Sequence, residues 1–169
     1  MTISYRRGGP DDAVAIDRLF RTVFCDTFAH LYRPEDLAAF LSQSTPEAWE
    51  AELADESFAI QLAEADGVPV GFVKLGPLRL PVEPCGPAIE LRSLYLLHEW
   101  RGAGVAHALM NWAIEEARVR GAQEMFLTVY TDNHRAKRFY ERYGFEAVGP
   151  YKFMVGSQAD EDIIMRACV

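Results

Sequence analysis

Residues 99–106 read Glu-Trp-Arg-Gly-Ala-Gly-Val-Ala and join an apolar stretch over 88–98 to a helix predicted over 103–120. Unpaired N–H groups at the start of a helix point outward, and the helix dipole adds positive potential there. Gly102 and Gly104 let an anion approach the backbone without obstruction by a Cβ atom, and Arg101 adds a formal charge. This junction predicts a pyrophosphate-binding site; the alternative is a plain turn that uses glycine for its geometry.

Two common nucleotide-binding motifs do not account for this junction. The chain contains no G-x-x-x-x-G-K-[S/T] string of the P-loop type. A dinucleotide-binding fold needs G-x-G-x-x-G in its first strand–helix turn, whereas this turn lies past the middle of the chain and Gly104 is followed by Val-Ala-His. A different phosphate-bearing ligand is therefore expected.

The segments on either side of the junction predict a mixed α/β sheet. Alternation of strands and helices after residue 88 implies parallel pairing at the centre of the sheet. In the first half, Asp66-Gly67 is a strong signal for an antiparallel hairpin. The predicted strands cover 3–6, 57–65, 68–75, 88–98, 125–130, 145–155 and 162–168, and the predicted helices cover about 10–31, 34–43, 46–54, 103–120 and 132–144.

Composition limits the class of protein. A length of 169 residues suits one domain over 1–169, and the net charge of -8 argues against nucleic acid and favours a cationic partner. Three cysteines without a C-x-x-C pattern, and no apolar run near the ~18 residues of a membrane span, predict a cytoplasmic protein without a membrane partner. Four histidines lie in four separate elements without metal-ligand spacing, so no metal is predicted.

Two motifs within residues 88–149 resemble those of the GNAT N-acetyltransferases. R-x-x-G-x-A at 101–106 resembles the acetyl-CoA pyrophosphate loop of that family, and N-x-x-A-x-x-F-Y-x-x-x-G-F at 133–145 is similar to its second cofactor segment. The resemblance implies a twisted, mostly antiparallel sheet of about seven strands, with a parallel, splayed central pair and helices on both faces. It also implies an acetyl-CoA-binding core at about 88–149 and a helical substrate lid at about 10–55.

The resemblance implies that acetyl-CoA, the cosubstrate, lies against strand 88–98 and the helix that follows. The backbone of Leu94, Leu96 and Leu97 is expected to pair with the pantetheine arm like an added strand, although Leu96 and Leu97 also suit the core. Asn133 is expected to contact the cofactor, and capping of its helix would explain it equally well. The full set of expected cofactor contacts is Leu94, Leu96, Leu97, Arg101, Gly102, Ala103, Gly104, Val105, Ala106, Asn133, Ala136, Phe139 and Tyr140.

Two residues are candidates for proton transfer. Tyr140 matches the family's acid, which protonates the departing thiolate, although packing on its helix face is the alternative. Many relatives carry a glutamate where this chain has Arg92, so the resemblance leaves Glu90 to act through a water relay. A period of two places Glu90, Arg92 and Leu94 on one face. The alternative is that Glu90 pairs with Arg92 or stabilises a loop. Cys25 has no partner pattern for nucleophilic catalysis, which favours direct attack by the amine.

The amine acceptor is expected at the helical lid. Asp26, Glu35 and Asp36 are candidates to bind ammonium groups, and Phe28 and Tyr32 to line an aliphatic channel, although such acids are common on solvated helices. Looser similarity to the spermidine/spermine (PaiA-type) branch implies a polyamine acceptor. The alternatives are the N-terminus or a lysine of a protein, and a non-catalytic acetyl-CoA-binding regulatory domain. A homodimer is the habit of the family.

Overall fold

The computed structural model describes residues 1–169 as one seven-stranded sheet with helices on both faces. The strand order is β1-β2-β3-β4-β5-β7-β6, which confirms the predicted sheet of about seven strands. The strands are β1 (Ile3–Arg7), β2 (Ala59–Ala65), β3 (Val68–Gly76), β4 (Ala88–Leu96), β5 (Glu124–Tyr130), β6 (Glu146–Val155) and β7 (Gln158–Cys168), and the helices are α1 (Ala13–Phe28), α2 (Pro34–Leu41), α3 (Pro46–Ala54), α4 (Val105–Val119) and α5 (His134–Glu141).

Strands β4 and β5 form the single parallel pair of the sheet, and they pair over a short length. Their ladder joins Ala88–Glu90 to residues 124–126, and every other neighbouring pair is antiparallel. Beyond Glu90 the two strands part. This confirms the splayed central pair, and it opens the sheet toward the carboxyl end of β4.

A β-bulge interrupts β4. The register between β3 and β4 shifts by one residue. Arg92 is therefore the extra residue of β4, which has no partner on β3. Leu91 and Leu94 consequently pack into the same core cluster although they are three positions apart. The prediction that Glu90, Arg92 and Leu94 share one face is wrong, because a bulge resets the alternation of side chains along a strand.

Two hydrophobic clusters hold the helices against the sheet. On one face, Leu109 and Ala113 of α4 are fully buried against the central strands. On the other face, Ile16 and Phe20 of α1 pack over Phe72 of β3. The predicted helix over 10–31 breaks at Phe28 and continues as a 3-10 turn. None of the helices has the length and apolar character needed to cross a bilayer.

Strand β7 begins at Gln158, four positions before the predicted start at residue 162. The added residues, Gln-Ala-Asp-Glu, are mostly polar, so apolar patterning did not reveal them. They form a strand because they pair antiparallel with β6 after a turn at Gly156. Gln158 lies opposite Val155, and the pairing continues toward the start of β6. This hairpin places Asp160 and Asp162 beside the centre of the sheet.

Candidate active site

An open cleft of about 480 Å³ lies where β4 and β5 part. Its floor is the strand pair, and its walls are the end of α1, the loop before α4, helix α5 and the start of β7. The lining includes Leu94 and Leu96 of β4, Thr128 of β5, Tyr140 of α5 and Asp162 of β7.

The edge of β4 in this cleft has backbone groups without a partner in the sheet. The N–H of Leu97 donates to the carbonyl of Val70 on β3, at 2.9 Å. The backbone N–H and C=O groups of successive strand residues point to opposite sides, so those of Leu94 and Leu96 point toward β5. The hydrogen-bonded ladder between β4 and β5 ends at Glu90, before these residues are reached. Leu94 and Leu96 therefore offer a strand edge to an extended ligand, whereas the N–H of Leu97 is already bonded.

The loop before α4 forms an open turn. Gly102 and Gly104 have φ angles of 83° and 82°, and a Cβ atom at either position would meet nothing within 4 Å. Helix α4 begins at Val105, and its first N–H groups have no partner within the helix. Arg101 donates from Nη2 to Oγ1 of Thr27, at 3.0 Å, which ties the loop to α1. This arrangement suits a phosphate group.

The small residues of this loop contribute in different ways. Ala106 lines the cleft, and Ala103 is exposed next to it. The side chain of Val105 is buried in the core cluster beneath α4, so its contribution is limited to its backbone N–H.

Helix α5 presents the predicted second cofactor segment to the cleft. Asn133 lines the cleft and also caps α5, because its Oδ1 accepts a hydrogen bond from the N–H of Ala136 at 3.3 Å. Both interpretations of this residue are compatible with its position. Ala136 and Phe139 line the same wall.

Tyr140 lies at the inner end of that wall. Tyr140 is 8% exposed, and its ring packs edge-on against Phe139 and Phe145. Burial raises the pKa of the Tyr140 hydroxyl above its ordinary value, and the nearby Tyr95 adds to the effect. Tyr140 is therefore protonated at neutral pH, and its side chain lines the cleft.

Two acids on β7, which were not among the predicted site residues, also line the cleft. The hydroxyl of Tyr32 donates a hydrogen bond to Asp160. Asp162 is 7% exposed, and desolvation together with the charge of Asp160 raises its pKa to about 7. The signal was the two-residue spacing of these acids directly before the apolar run at 163–165, which places both on one face of a strand.

Tyr95 lies between the acid pair and the inner wall. It projects from β4 and packs against Phe20 and Phe72. Burial and the charge of Asp162 raise the pKa of Tyr95 to about 12. Sequence reasoning missed this residue because it was counted as part of an apolar strand.

Basic residues surround the other end of the cleft. Arg101 precedes α4, and Arg135 and Arg142 come from α5 and its end. Arg101 was predicted to contact the cofactor, whereas Arg135 and Arg142 were not. Nowhere do three or more His, Cys, Asp or Glu side chains gather in a way that suits a metal ion.

Glu90 lies outside the cleft lining. Its carboxylate is 3.5 Å from Nε of Arg92 and accepts a hydrogen bond from the backbone N–H of Arg79, at 3.1 Å. These contacts match the alternative in which Glu90 pairs with Arg92 and stabilises a loop. The structure does not bring Glu90 to the other candidate catalytic residues.

The helical lid contributes aromatic residues to the cleft. Phe28 and Tyr32 line it, as expected, whereas Asp26 and Glu35 are exposed outside it. Asp36 is buried away from the cleft, where its Oδ1 accepts hydrogen bonds of 2.7 and 2.8 Å from the turn between β6 and β7. The carboxylates that face the cleft come from β7, not from the lid.

A parted parallel strand pair, an open turn at a helix start and a buried tyrosine line one cleft, an arrangement that suits an enzyme with an extended, phosphate-bearing cosubstrate. The model of the acetyltransferase (GNAT) family matches residues 23–145, so the chain belongs to that family. Acetyl-CoA is accordingly its cosubstrate, and the residues of the cleft fit it.

Three relatives illustrate the similarity. An uncharacterized N-acetyltransferase of Mycobacterium tuberculosis is 35% identical over 133 residues, which cover 78% of this chain and 81% of the relative. The structure of the PaiA N-acetyltransferase from Thermoplasma acidophilum in complex with coenzyme A matches with a TM-score of 0.81 and 21% identity, over 100% of both chains. N-alpha-acetyltransferase 30 of Schizosaccharomyces pombe is 42% identical over 52 residues, which cover 31% of this chain and 35% of the relative.

Proposed function

We propose that this protein transfers the acetyl group of acetyl-CoA directly to a primary amine of a small cationic acceptor, and that a polyamine such as spermidine or spermine is that acceptor. The observation that carries this proposal is the separation of charge along one cleft. Arginines come from the loop before α4 and from α5, two aspartates come from β7, and no salt bridge joins the two groups. An anionic cofactor and a cationic acceptor are thereby drawn to opposite ends.

The residues at the basic end suit the cofactor. The turn at Gly102 and Gly104 would hold the pyrophosphate, and the free strand edge at Leu94 and Leu96 would hold the pantetheine arm. Bound there, acetyl-CoA supplies the activated thioester. Tyr140, which lines the cleft, would give its hydroxyl proton to the departing thiolate.

The residues at the acidic end suit a polyamine. Asp160 and Asp162 attract ammonium groups, and the rings of Phe28, Tyr32 and Tyr95 offer apolar and cation–π contact to the alkyl chain and its charges. The looser sequence resemblance to the spermidine/spermine (PaiA-type) branch supports the same acceptor. A net charge of -8 adds long-range attraction for cations.

The N-terminus or a lysine of a protein is the second candidate acceptor. The similarity to N-alpha-acetyltransferase 30 favours it, although that similarity spans 52 residues. The third candidate function is that of a non-catalytic, acetyl-CoA-binding regulatory domain. The position of Tyr140 within the cleft argues against it, because simple cofactor binding needs no proton donor there.

A thiol-release assay tests the acceptor class. The protein and acetyl-CoA are incubated with spermidine, spermine, putrescine, an aminoglycoside, a lysine peptide and a peptide with a free N-terminus, while calorimetry follows cofactor binding. We expect turnover on the polyamines to exceed turnover on the peptides. Faster turnover on either peptide would replace the polyamine with a protein acceptor. Cofactor binding without turnover on any amine would favour the regulatory domain.

A cytoplasmic location and a homodimer complete the proposal. Three free cysteines support a reducing compartment. Strand β6 forms one edge of the sheet and exposes Val148 and Met154 at 51% each, which supports a subunit contact there. Light scattering of the purified protein measures the oligomeric state.

A further inference from the structure

We infer that Asp162 is the group that takes the proton from the acceptor amine, and that Asp160, held by Tyr32, tunes it for that role. The inference deepens the proposed function, and it rests on acetyl transfer to an amine rather than on the identity of that amine. It assigns the role that the sequence analysis gave to Glu90, which lies outside the cleft lining.

The position of Asp162 suits proton transfer. It lies on β7 opposite Tyr130 of β5 and Tyr151 of β6, lines the cleft, and is 7% exposed. None of the salt bridges of the protein includes it. A buried carboxylate without a cationic partner is costly to keep, and such a group is characteristic of functional sites.

The groups around Asp162 explain its affinity for a proton. Asp160 is the neighbouring acid, and its own carboxylate accepts the hydroxyl hydrogen of Tyr32. A hydrogen bond with the hydroxyl of Thr128 lowers the pKa of Asp162. Desolvation and the charge of Asp160 raise it, and these two effects are larger. The titratable and polar groups that face Asp162 are Tyr32 from the turn after α1, Tyr95 from β4, Thr128 and Tyr130 from β5, Tyr151 from β6 and Asp160 from β7.

This environment adjusts the carboxylate to neutral pH. The pKa of Asp162 is raised to about 7, so a substantial fraction is ionised and free to accept a proton near pH 7. A primary ammonium has a pKa near ~10 and must lose a proton before it attacks. A general base works best when its pKa lies near the working pH.

Two residues, Asp162 and Tyr140, carry the proton transfers of the reaction. The ammonium gives one proton to Asp162, and the neutral amine nitrogen bonds to the thioester carbonyl carbon while the carbon–sulfur bond breaks. Tyr140 gives its hydroxyl proton to the departing sulfur and takes the second proton of the nitrogen. Asp162 then releases its proton to water. Tyr95 lies close enough to Tyr140 and Asp162 to be electrostatically coupled to both.

The pH dependence of kcat tests this assignment. The wild type is compared with Asp162→Asn and Asp160→Asn on whichever amine of the panel it acetylates. We expect the wild type to lose activity below about pH 7, and Asp162→Asn to lower kcat by roughly 100-fold and to abolish that acidic limb. Asp160→Asn should move the limb to lower pH, because it removes the repulsion that raises the pKa of Asp162.

The matched control is Glu161→Gln, which removes a carboxylate from the same strand. Its side chain is 67% exposed, and it should leave both kcat and the limb unchanged. An Asp162→Asn variant that raises KM but keeps kcat and the acidic limb would show that Asp162 binds the ammonium without taking its proton. That result would overturn the assignment.

A second measurement needs no acceptor. Carbon-13 NMR of the aspartate carboxyl carbons should show one resonance that titrates near pH 7 in the wild type and is missing in Asp162→Asn. A wild type in which no aspartate titrates above pH 5 would overturn the assignment even if every amine of the panel is inert. Failure of the polyamines alone would overturn the proposed acceptor and leave the role of Asp162 intact.

Discussion

Replacement of Asp162 by asparagine should stabilise the protein while it impairs catalysis. The carboxyl group has a pKa of about 7 in the folded protein against an ordinary value of 3.8. A raised pKa means that the folded state binds the proton more tightly than the unfolded state. The stability that this proton confers is therefore complete below about pH 4 and is lost as the pH rises through 7. Asparagine, which does not ionise, avoids that loss.

The size of the effect follows from the shift in pKa. A difference of about three pH units, at ~1.36 kcal/mol each, sets a ceiling of ~4 kcal/mol. Because Asp162 lines a cleft that is open to water, screening reduces the value, and about 2 kcal/mol is the realistic gain. Asp162→Asn should accordingly be more stable than the wild type by about 2 kcal/mol at pH 8, and equally stable near pH 4.

Urea denaturation of both proteins at pH 4.5, 6, 7 and 8 measures this difference. Groups distant from residue 162 titrate alike in both proteins and cancel, so the difference in the free energy of unfolding reports residue 162 and its neighbour Asp160. Glu161→Gln, on the exposed face of the same strand, should show no dependence on pH relative to the wild type. A difference that stays constant between pH 4.5 and 8, or a less stable Asp162→Asn variant at pH 8, would refute the reasoning.

Three further substitutions test other parts of the molecule. Tyr140→Phe should lower kcat by roughly 100-fold while calorimetry finds unchanged CoA affinity; an unchanged kcat would remove the hydroxyl from the reaction. Gly104→Ala should weaken CoA binding by about tenfold, or ~1.4 kcal/mol, because φ at this position is 82° and the new methyl group enters the open turn. Equal calorimetric Kd values for the variant and the wild type would place the phosphates elsewhere. Gly156→Ala should destabilise the fold by roughly 2–4 kcal/mol in urea titrations, because φ at this position is 58° and the added Cβ would lie 2.5 Å from Oδ1 of Asp36. A decrease below ~1 kcal/mol in the free energy of unfolding would mean that the turn adjusts to the added methyl group.

The elements that local patterns encode were predicted well. Asp66-Gly67 produces the expected hairpin between β2 and β3, and Gly104 stands at the start of α4, where the junction motif placed it. Asn133 begins α5 through its own side-chain cap. Each of these signals works over a few residues, because turns, caps and helix starts are built from neighbouring peptide groups.

The site residues that depend on distant contacts were predicted less well. Glu90 and Leu94 were expected on one face, and the bulge at Arg92 separates them. A bulge is a property of two paired strands, so the spacing of residues along β4 does not reveal it. Asp36 illustrates the same limit, because the turn between β6 and β7 occupies its carboxylate.

Sequence alone determined the class of fold, the cofactor and one candidate acid, since the two glycine-containing motifs and the order of strands and helices are local and sequential. Tertiary structure decided where the acidic charge of the cleft lies. Asp160 and Asp162 line the same cleft as Tyr140 because β7 pairs between β5 and β6, and the resulting burial gives Asp162 its raised pKa. Desolvation depends on everything that surrounds a carboxyl group in space, and strands that are distant in sequence supply most of those surroundings.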